Sequence, residues 1–312
     1  MTAFAFVFPG QGSQSVGMLD AWGGHSAVRA VLDEASNALD LDVARLIHGG
    51  PQAELDLTVN TQIVMLVAGV ACYRAWRAEG GAQPAIVAGH SLGEYSALVA
   101  AGALELAAAA PLVRLRAQAM QEAVAPGAGA MVAVLGPDGA TVRDVCARVA
   151  AETGEVVAAA NFNDPKQTVI SGSAAGIAAA GPALKAAGAK RLMPLAVSAP
   201  FHCELMRPAA ERLRAHLARV ELTAPAIDLV NNIDVAVEGD PDRIRDALYR
   251  QAFGPVRWVE LMQAIAARGV RHVVECGPGK VLAKMVSRID ERLVGASVYD
   301  PDTLGQAKEL LR

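Results

Sequence analysis

Pro84-Ala-Ile-Val-Ala-Gly-His-Ser-Leu-Gly-Glu-Tyr95 is the stretch on which the reading of this chain turns. Its first half is β-favouring and stops at Gly89, and its second half runs into the Ala-rich stretch 94–101, a strong helix former. Gly89-His-Ser-Leu-Gly93 is thus a Gly-x-Ser-x-Gly pattern between a strand and a helix, the context that a nucleophile elbow requires. Only small residues fit at 89 and 93 in so tight a turn. The turn pushes Ser91 outward at the N-terminus of the following helix, where N–H groups and the helix dipole favour a developing oxyanion. Taken alone, the pattern also describes a Gly-rich turn with a capping serine, and it fits serine hydrolases and transferases alike.

Outward from this turn, strands and helices alternate. Ala3-Phe-Ala-Phe-Val-Phe8 reads as a buried strand ending at Pro9-Gly10-Gln11-Gly12. Helices are expected near 26–38, 60–79 and 105–124, and further short buried strands at 227–232 and 272–276. From about 127 the texture changes: strand 131–135, helix 140–152, strands 156–160 and 167–171, helix 174–187 and strand 191–197. That order is β-α-β-β-α-β, a split ferredoxin-like unit inserted into the chain. The expected fold is therefore α/β, with an α/β-hydrolase-like core on a parallel sheet formed by 1–126 and 199–312, and a ferredoxin-like small subdomain at 127–198.

Bulk properties narrow the function. The chain has 312 residues, 53% of them hydrophobic, enough for a large core, while aromatics make up only 4% and the net charge is -4. Stacking platforms and basic clusters for nucleic acid are both lacking. No apolar run reaches the length of a membrane span and Met1-Thr-Ala-Phe4 carries no basic leader, so a cytoplasmic protein without membrane partners is expected. The four cysteines are scattered without a CxxC pair, which predicts neither disulfides nor a metal site. No exposed apolar repeat asks for a partner, so a monomer is expected.

A serine nucleophile needs a base. Of six histidines, His90 is adjacent to Ser91 and normally points away from it, and His216 lies in a charged helical stretch. His202, in Ser198-Ala-Pro-Phe-His-Cys203, enters a loop where the chain returns from the insert to the core, a good place for a base. Cys203 offers a rival Cys-His pair, but sequence-adjacent side chains usually diverge and the thiol would need its own activation. On the helix 105–124, Arg116 falls within the stripe of Leu112, Val113, Ala117 and Met120. An inward guanidinium needs an anion. Either a core acid supplies it, or a substrate carboxylate does through two parallel hydrogen bonds. Gly10-Gln11-Gly12 lacks the third glycine of a dinucleotide-binding loop, since position 15 is Ser15. Its two glycines let the backbone approach a neighbouring loop and present Gln11 to an oxyanion.

With these residues assembled, the chain resembles the malonyl-CoA:acyl carrier protein transacylase family of fatty-acid synthesis. The likeness runs nearly end to end and rests on Phe8-Pro-Gly-Gln-Gly-Ser-Gln14, Gly89-His-Ser-Leu-Gly-Glu-Tyr95, Arg116 with Met120-Gln-Glu-Ala-Val124, Asn161-Phe-Asn163, Pro200-Phe-His202, the stretch 251–258, and Glu275-Cys-Gly-Pro-Gly-Lys280. The resemblance implies Ser91 as nucleophile, His202 as base, Arg116 as anchor of the malonyl carboxylate, and the Gln11 and Leu92 amides as oxyanion hole. It makes Gln251 the orienter, through a main-chain carbonyl that takes the place of a triad carboxylate. It places Asn163 and Arg191 near the pantetheine and coenzyme A path, and Phe201 in a position typical of malonyl-selective relatives. Ala117 stands where many relatives have glycine, and Phe201 where some bacterial members have serine. The implied substrates are malonyl-CoA and acyl carrier protein, with no cofactor or metal. Three other readings remain open: a hydrolase on the same elbow, a non-catalytic carrier-binding subunit, and a malonyl transferase of polyketide assembly or malonate decarboxylation.

Overall fold

Phe4, Phe6 and Phe8 point to one side of the first strand, and Ala5 and Val7 to the other, so that each face of the strand meets a different apolar layer. The computed structural model, which describes residues 3–312, shows both layers. On the phenylalanine side, Phe6 meets Trp76 and Tyr73 edge-on, with ring centroids 5.3 and 6.0 Å away. Each buried ring contributes about 2–3 kcal/mol by area alone. Trp76 and Tyr73 belong to the helix Thr58–Ala78. The sequence suggests one apolar side for that helix, but every residue from Thr61 to Cys72 is buried. It runs through the core, with the helices Ser26–Leu39, Gly93–Ala100 and Leu106–Glu122 packed around it.

Among the described residues, nine strands form two sheets. The strands are β1 (Phe4–Phe8), β2 (Ile86–Gly89), β3 (Gly129–Leu135), β4 (Val157–Asp164), β5 (Gln167–Ser173), β6 (Arg191–Pro194), β7 (Asp228–Val230), β8 (His272–Cys276) and β9 (Val294–Val298). The first sheet has the order β7-β2-β1-β8-β9 and every pair in it is parallel. Buried on both faces, such a sheet reads as apolar runs, continuous in β1 and β2 and interrupted by Glu275 in β8, which is how these strands are recognised in the sequence. The edge strand β9, Val294-Gly-Ala-Ser-Val298, has no such run and is not foreseen.

The second sheet is antiparallel with the order β4-β5-β3-β6, the ferredoxin-like arrangement expected from β-α-β-β-α-β. Val132 and Val134 of β3 face the helices Gly139–Thr153 and Ala174–Ala186, whereas Met131 and Ala133 face the main core. This small sheet thereby roofs the C-terminal ends of the parallel strands. It is tied down where the Phe162 N–H donates to Val256 O at 2.9 Å and the Val256 N–H donates to Ala160 O at 2.8 Å.

Two of the strand limits that differ from the expectation bear on the site. β4 continues past 160 to Asp164 through two register shifts, so Asn161 and Asn163 lie on a bulged strand that aims them toward the core. β6 ends at Pro194, a last N–H from Leu195 donates to Met131 O at 3.0 Å, and Leu195–Val197 then leave the sheet as an exposed rim. Among the described residues, no helix is long and apolar enough to cross a membrane.

Candidate active site

Ser91 lies two residues beyond β2 with φ at 51°, the left-handed conformation of a sharp elbow. The glycines around it are required by contact. A Cβ on Gly89 would sit 1.9 Å from Gly93 C, and one on Gly93 would sit 2.1 Å from Phe8 O. The turn opens at the C-terminal edge of the parallel sheet, beside the loop carrying Gln11 after β1 and the Asn231-Asn232 turn after β7. In open α/β sheets that edge is where ligands bind.

His202 reaches the serine from the other side of the fold. Its Nε2 is 2.7 Å from Ser91 Oγ, and its Nδ1 lies 2.9 Å from Gln251 O and 3.1 Å from Gly254 O. Two carbonyls on Nδ1 fix the tautomer: Nδ1 carries the proton and donates it, leaving Nε2 as acceptor for the serine hydroxyl. His202 is buried, and burial with the nearby Arg116 charge holds its pKa down to about 3, so the ring is neutral at pH 7. His90 turns elsewhere: its Nε2 is 2.8 Å from Asn163 Oδ1 and its ring tilts against Trp258. The Cys203 thiol donates to Pro200 O, and burial raises its pKa, which makes it a poor nucleophile.

Arg116 is 2% exposed, on the apolar stripe of its helix. Its hydrogen-bond acceptors are neutral: Nη1 donates to Gln62 Oε1 at 2.7 Å, and Nη2 donates to Gln251 Oε1 at 3.1 Å and to Ser91 Oγ at 3.2 Å. Of the alternatives left open by the sequence, a core acid bonded to the guanidinium is not what the fold provides. Glu94 acts on it only through space. The Tyr95 ring lies 5.5 Å from the guanidinium carbon. The result is a buried cation next to Ser91 with, among the described residues, no anion bonded to it.

These groups line a cavity of about 170 Å³, together with Gln11, Met131, Asn161, Asn163, Leu195, Val197 and Phe201. Among the described residues, neither the Gln11 nor the Leu92 N–H donates to a main-chain acceptor. The Ser91 N–H is committed to Asn232 Oδ1 at 2.7 Å. Arg191 is the one sequence-derived candidate that the fold does not bring here: it is exposed on β6 opposite Leu135, at the strand end remote from Leu195. A roomier cavity of about 730 Å³ opens between the helix Gly139–Thr153 and residues 255–260, but Ser91, His202 and Arg116 do not line it. No group of side chains suited to a metal ion occurs among the described residues.

Three residues escape sequence reasoning. Gln62 is fully buried on the core helix, donating to Gln11 Oε1 at 3.2 Å while accepting from Arg116. Glu94 and Asn232 are buried beside the elbow. The available signal was a polar residue in an otherwise apolar run, as with Gln62 before Ile63-Val-Met-Leu66 and Asn232 after Leu229-Val230.

Known proteins resemble this chain over nearly its full length. The family model described as an acyl transferase domain matches residues 5–299. The malonyl CoA-acyl carrier protein transacylase of Escherichia coli K12 is 49% identical over 99% of this chain and 100% of its own. The acyl-carrier-protein S-malonyltransferase of Burkholderia pseudomallei 1710b superposes with a TM-score of 0.96 at 61% identity, covering 99% of this chain and 100% of its own. A malonyl-transacylase solved with a type II PKS acyl-carrier protein, PlMCAT:AntF, gives a TM-score of 0.96 at 45% identity over 99% of this chain and 100% of its own. By sequence and by fold along its whole length, this chain belongs to the acyl transferase domain family, in its malonyl CoA-acyl carrier protein transacylase branch.

Proposed function

We propose that this protein transfers a malonyl group from malonyl-CoA to the pantetheine thiol of acyl carrier protein through a malonyl-serine intermediate, supplying fatty-acid synthesis. The observation that carries the reading is one oxygen, Ser91 Oγ, within hydrogen-bond reach of both a neutral imidazole at 2.7 Å and a buried guanidinium at 3.2 Å. The first activates a nucleophile, and the second selects an acyl group with a free carboxylate.

In the first half-reaction Arg116 holds the malonyl carboxylate and Oγ attacks the thioester carbon, passing its proton to His202 Nε2. The Gln11 and Leu92 N–H groups receive the oxyanion. Collapse breaks the C–S bond, and the coenzyme A thiolate leaves with the proton from His202. In the second half the carrier's thiol gives its proton to Nε2 and attacks the malonyl ester. The Oγ–C bond then breaks and Oγ takes the proton back. Gln251 orients His202 through its carbonyl, and Phe201, 7% exposed, restricts branched acyl groups. Asn163 lies on the wall where the pantetheine arm enters. Residues 127–198 act as a subdomain closing over the core formed by 1–126 and 199–312. No cofactor or metal takes part in these steps.

The test is intact-mass detection of a malonyl adduct after addition of malonyl-CoA, on the native protein and on Ser91→Ala, followed by a chase with holo-carrier. The reading requires an adduct on the native protein only, discharged onto the carrier rather than to free malonate. Release of free malonate would favour the hydrolase reading instead.

A further inference from the structure

The peptide groups on both sides of Ser91 are held by side chains from distant parts of the chain. On the amino side, Asn232 Oδ1 accepts from the Ser91 N–H at 2.7 Å, while Asn232 Nδ2 donates to Gly89 O at 2.6 Å. On the carboxyl side, Gln251 Nε2 donates to Ser91 O at 3.0 Å. Both clamps are anchored on one oxygen: Glu94 Oε2 accepts from the Asn232 N–H at 3.0 Å and from Gln251 Nε2 at 2.9 Å. Glu94 is 1% exposed, Asn232 and Gln251 are fully buried, and Glu94 does not reach His202 or Ser91 Oγ.

This arrangement answers two physical demands. A serine at a φ of 51° is in a conformation that an L-residue leaves unless its surroundings over-determine it. Asn232 also satisfies the Ser91 N–H, which takes it out of competition for the developing oxyanion and leaves that role to Gln11 and Leu92.

We propose that Asn232 and Glu94 are positioning residues of the reaction, Asn232 as a two-sided clamp on the Gly89–Ser91 backbone and Glu94 as the common anchor of Asn232 and Gln251. The inference rests on Ser91 being the nucleophile. It implies that loosening the clamp at Asn232, which bonds Ser91, Gly89 and Glu94 but not Arg116, slows bond formation at Oγ while the site of carboxylate recognition is left in place.

The chemistry of the two side chains gives readouts that a merely structural role would not move. Asn232→Ala removes both hydrogen bonds, and the first-turnover rate of Ser91 acylation by malonyl-CoA falls about 10²-fold, with malonyl-CoA affinity changed less than about threefold. Asn232→Asp keeps the acceptor for Ser91 but, when ionised, turns an oxygen toward Gly89 O. Its rate relative to the native protein therefore rises as pH falls and the carboxyl becomes a donor. Glu94→Gln retains an oxygen acceptor for both partners and keeps most of the rate, whereas Glu94→Ala does not.

The deciding experiment reads each variant twice, by malonyl-CoA burst and by phosphonylation with a small fluorophosphonate. The second probe needs Ser91 Oγ to form the P–O bond and His202 to take the proton as fluoride leaves, but it needs no Arg116. Circular dichroism melts confirm that the variants are folded, and if Asn232→Ala is not, Asn232→Asp and Glu94→Ala carry the test, with Glu94→Gln as the variant that keeps the rate. Parallel losses with both probes support the clamp. Native rates for Asn232→Ala with both probes, or losses in binding alone, overturn it. A native protein that takes the phosphonyl group on Ser91 but never a malonyl group would instead overturn the malonyl reading and leave the clamp standing.

Discussion

Replacing Arg116 by alanine separates acyl recognition from nucleophile activation. In the free protein the guanidinium is held by three neutral oxygens, from Gln62, Gln251 and Ser91, and it is 2% exposed. A malonyl carboxylate would be its only anion in direct contact. An acetyl thioester offers no such group and leaves a buried cation uncompensated, which costs about 3–5 kcal/mol. At about 1.4 kcal/mol per tenfold, that is a preference for malonyl over acetyl of roughly 10²–10³ or more in the acylation step. Arg116→Ala is expected to lose that preference mainly by losing malonyl reactivity, because Ser91 and His202 keep their 2.7 Å contact. Arg116→Lys does not restore it, since an ammonium cannot make two parallel hydrogen bonds to one carboxylate. The assay is acyl uptake by intact mass, with malonyl-CoA and acetyl-CoA each varied to saturation. A variant that still prefers malonyl more than about tenfold would refute the role given to Arg116.

Five further outcomes follow from the structure. His202, held down to about 3 by burial, stays neutral in the fold, so the acid limb of Ser91 acylation lies well below the free-histidine value of 6.5; a limb at 6.5 would contradict this. Its lowered pKa also makes its contribution to stability fully present above 6.5 and progressively lost as pH falls toward 3, and His202→Asn flattens urea-derived stability across that window. Glu275, buried at the end of β8 and raised from 4.5 to about 7, has the opposite sign: its contribution is present below 4.5 and lost as pH rises through 7, by on the order of 3 kcal/mol, and Glu275→Gln removes that slope. Gly93→Ala, with a Cβ 2.1 Å from Phe8 O, costs upward of about 3 kcal/mol and is read in melting and in loss of phosphonylation, whereas Cys203→Ser leaves acyl transfer within about twofold of native.

How much of this was legible in the sequence depends on how each residue announces itself. The core strands β1 and β2 are continuous apolar runs, β8 is a short β-favouring run interrupted by Glu275 and stopped by Gly277-Pro278, and the inserted unit is marked by its β-α-β-β-α-β order, so both sheets are readable apart from the edge strand β9. Arg116 stands out because a charge on an apolar helical stripe breaks the period. Gln62, Glu94 and Asn232 do not. Their meaning lies in partners 54, 157 and 141 residues away, and a lone amide or acid in such a stretch is indistinguishable from an ordinary polar residue until the partner is seen. Bulges are equally silent: the shifts that carry β4 on to Asp164 and turn Asn163 toward His90 are set by pairing with β5, not by the local sequence.

The placement of Glu94, a carboxylate beside the elbow, bears on why a thioester is the fitting substrate. In a triad an acid on the imidazole Nδ1 stabilises the imidazolium that forms during attack. Here Nδ1 meets two neutral carbonyls, and Glu94 is spent instead on the backbone of the elbow through Asn232 and Gln251. The imidazolium is further opposed by Arg116, one of the causes that hold His202 down to about 3. A base this weak is mismatched to an amide, whose leaving group needs a strong proton donor and whose carbon resists attack. It suits an activated acyl group leaving as a thiolate, with water kept from the ester by the small, roofed cavity. On this reasoning the second half-reaction depends on a thiol, which is both a better nucleophile and more easily deprotonated than water. The measurable consequence is that malonyl-Ser91 persists in buffer for many turnover times and discharges on adding holo-carrier, while apo-carrier, lacking the thiol, leaves it intact.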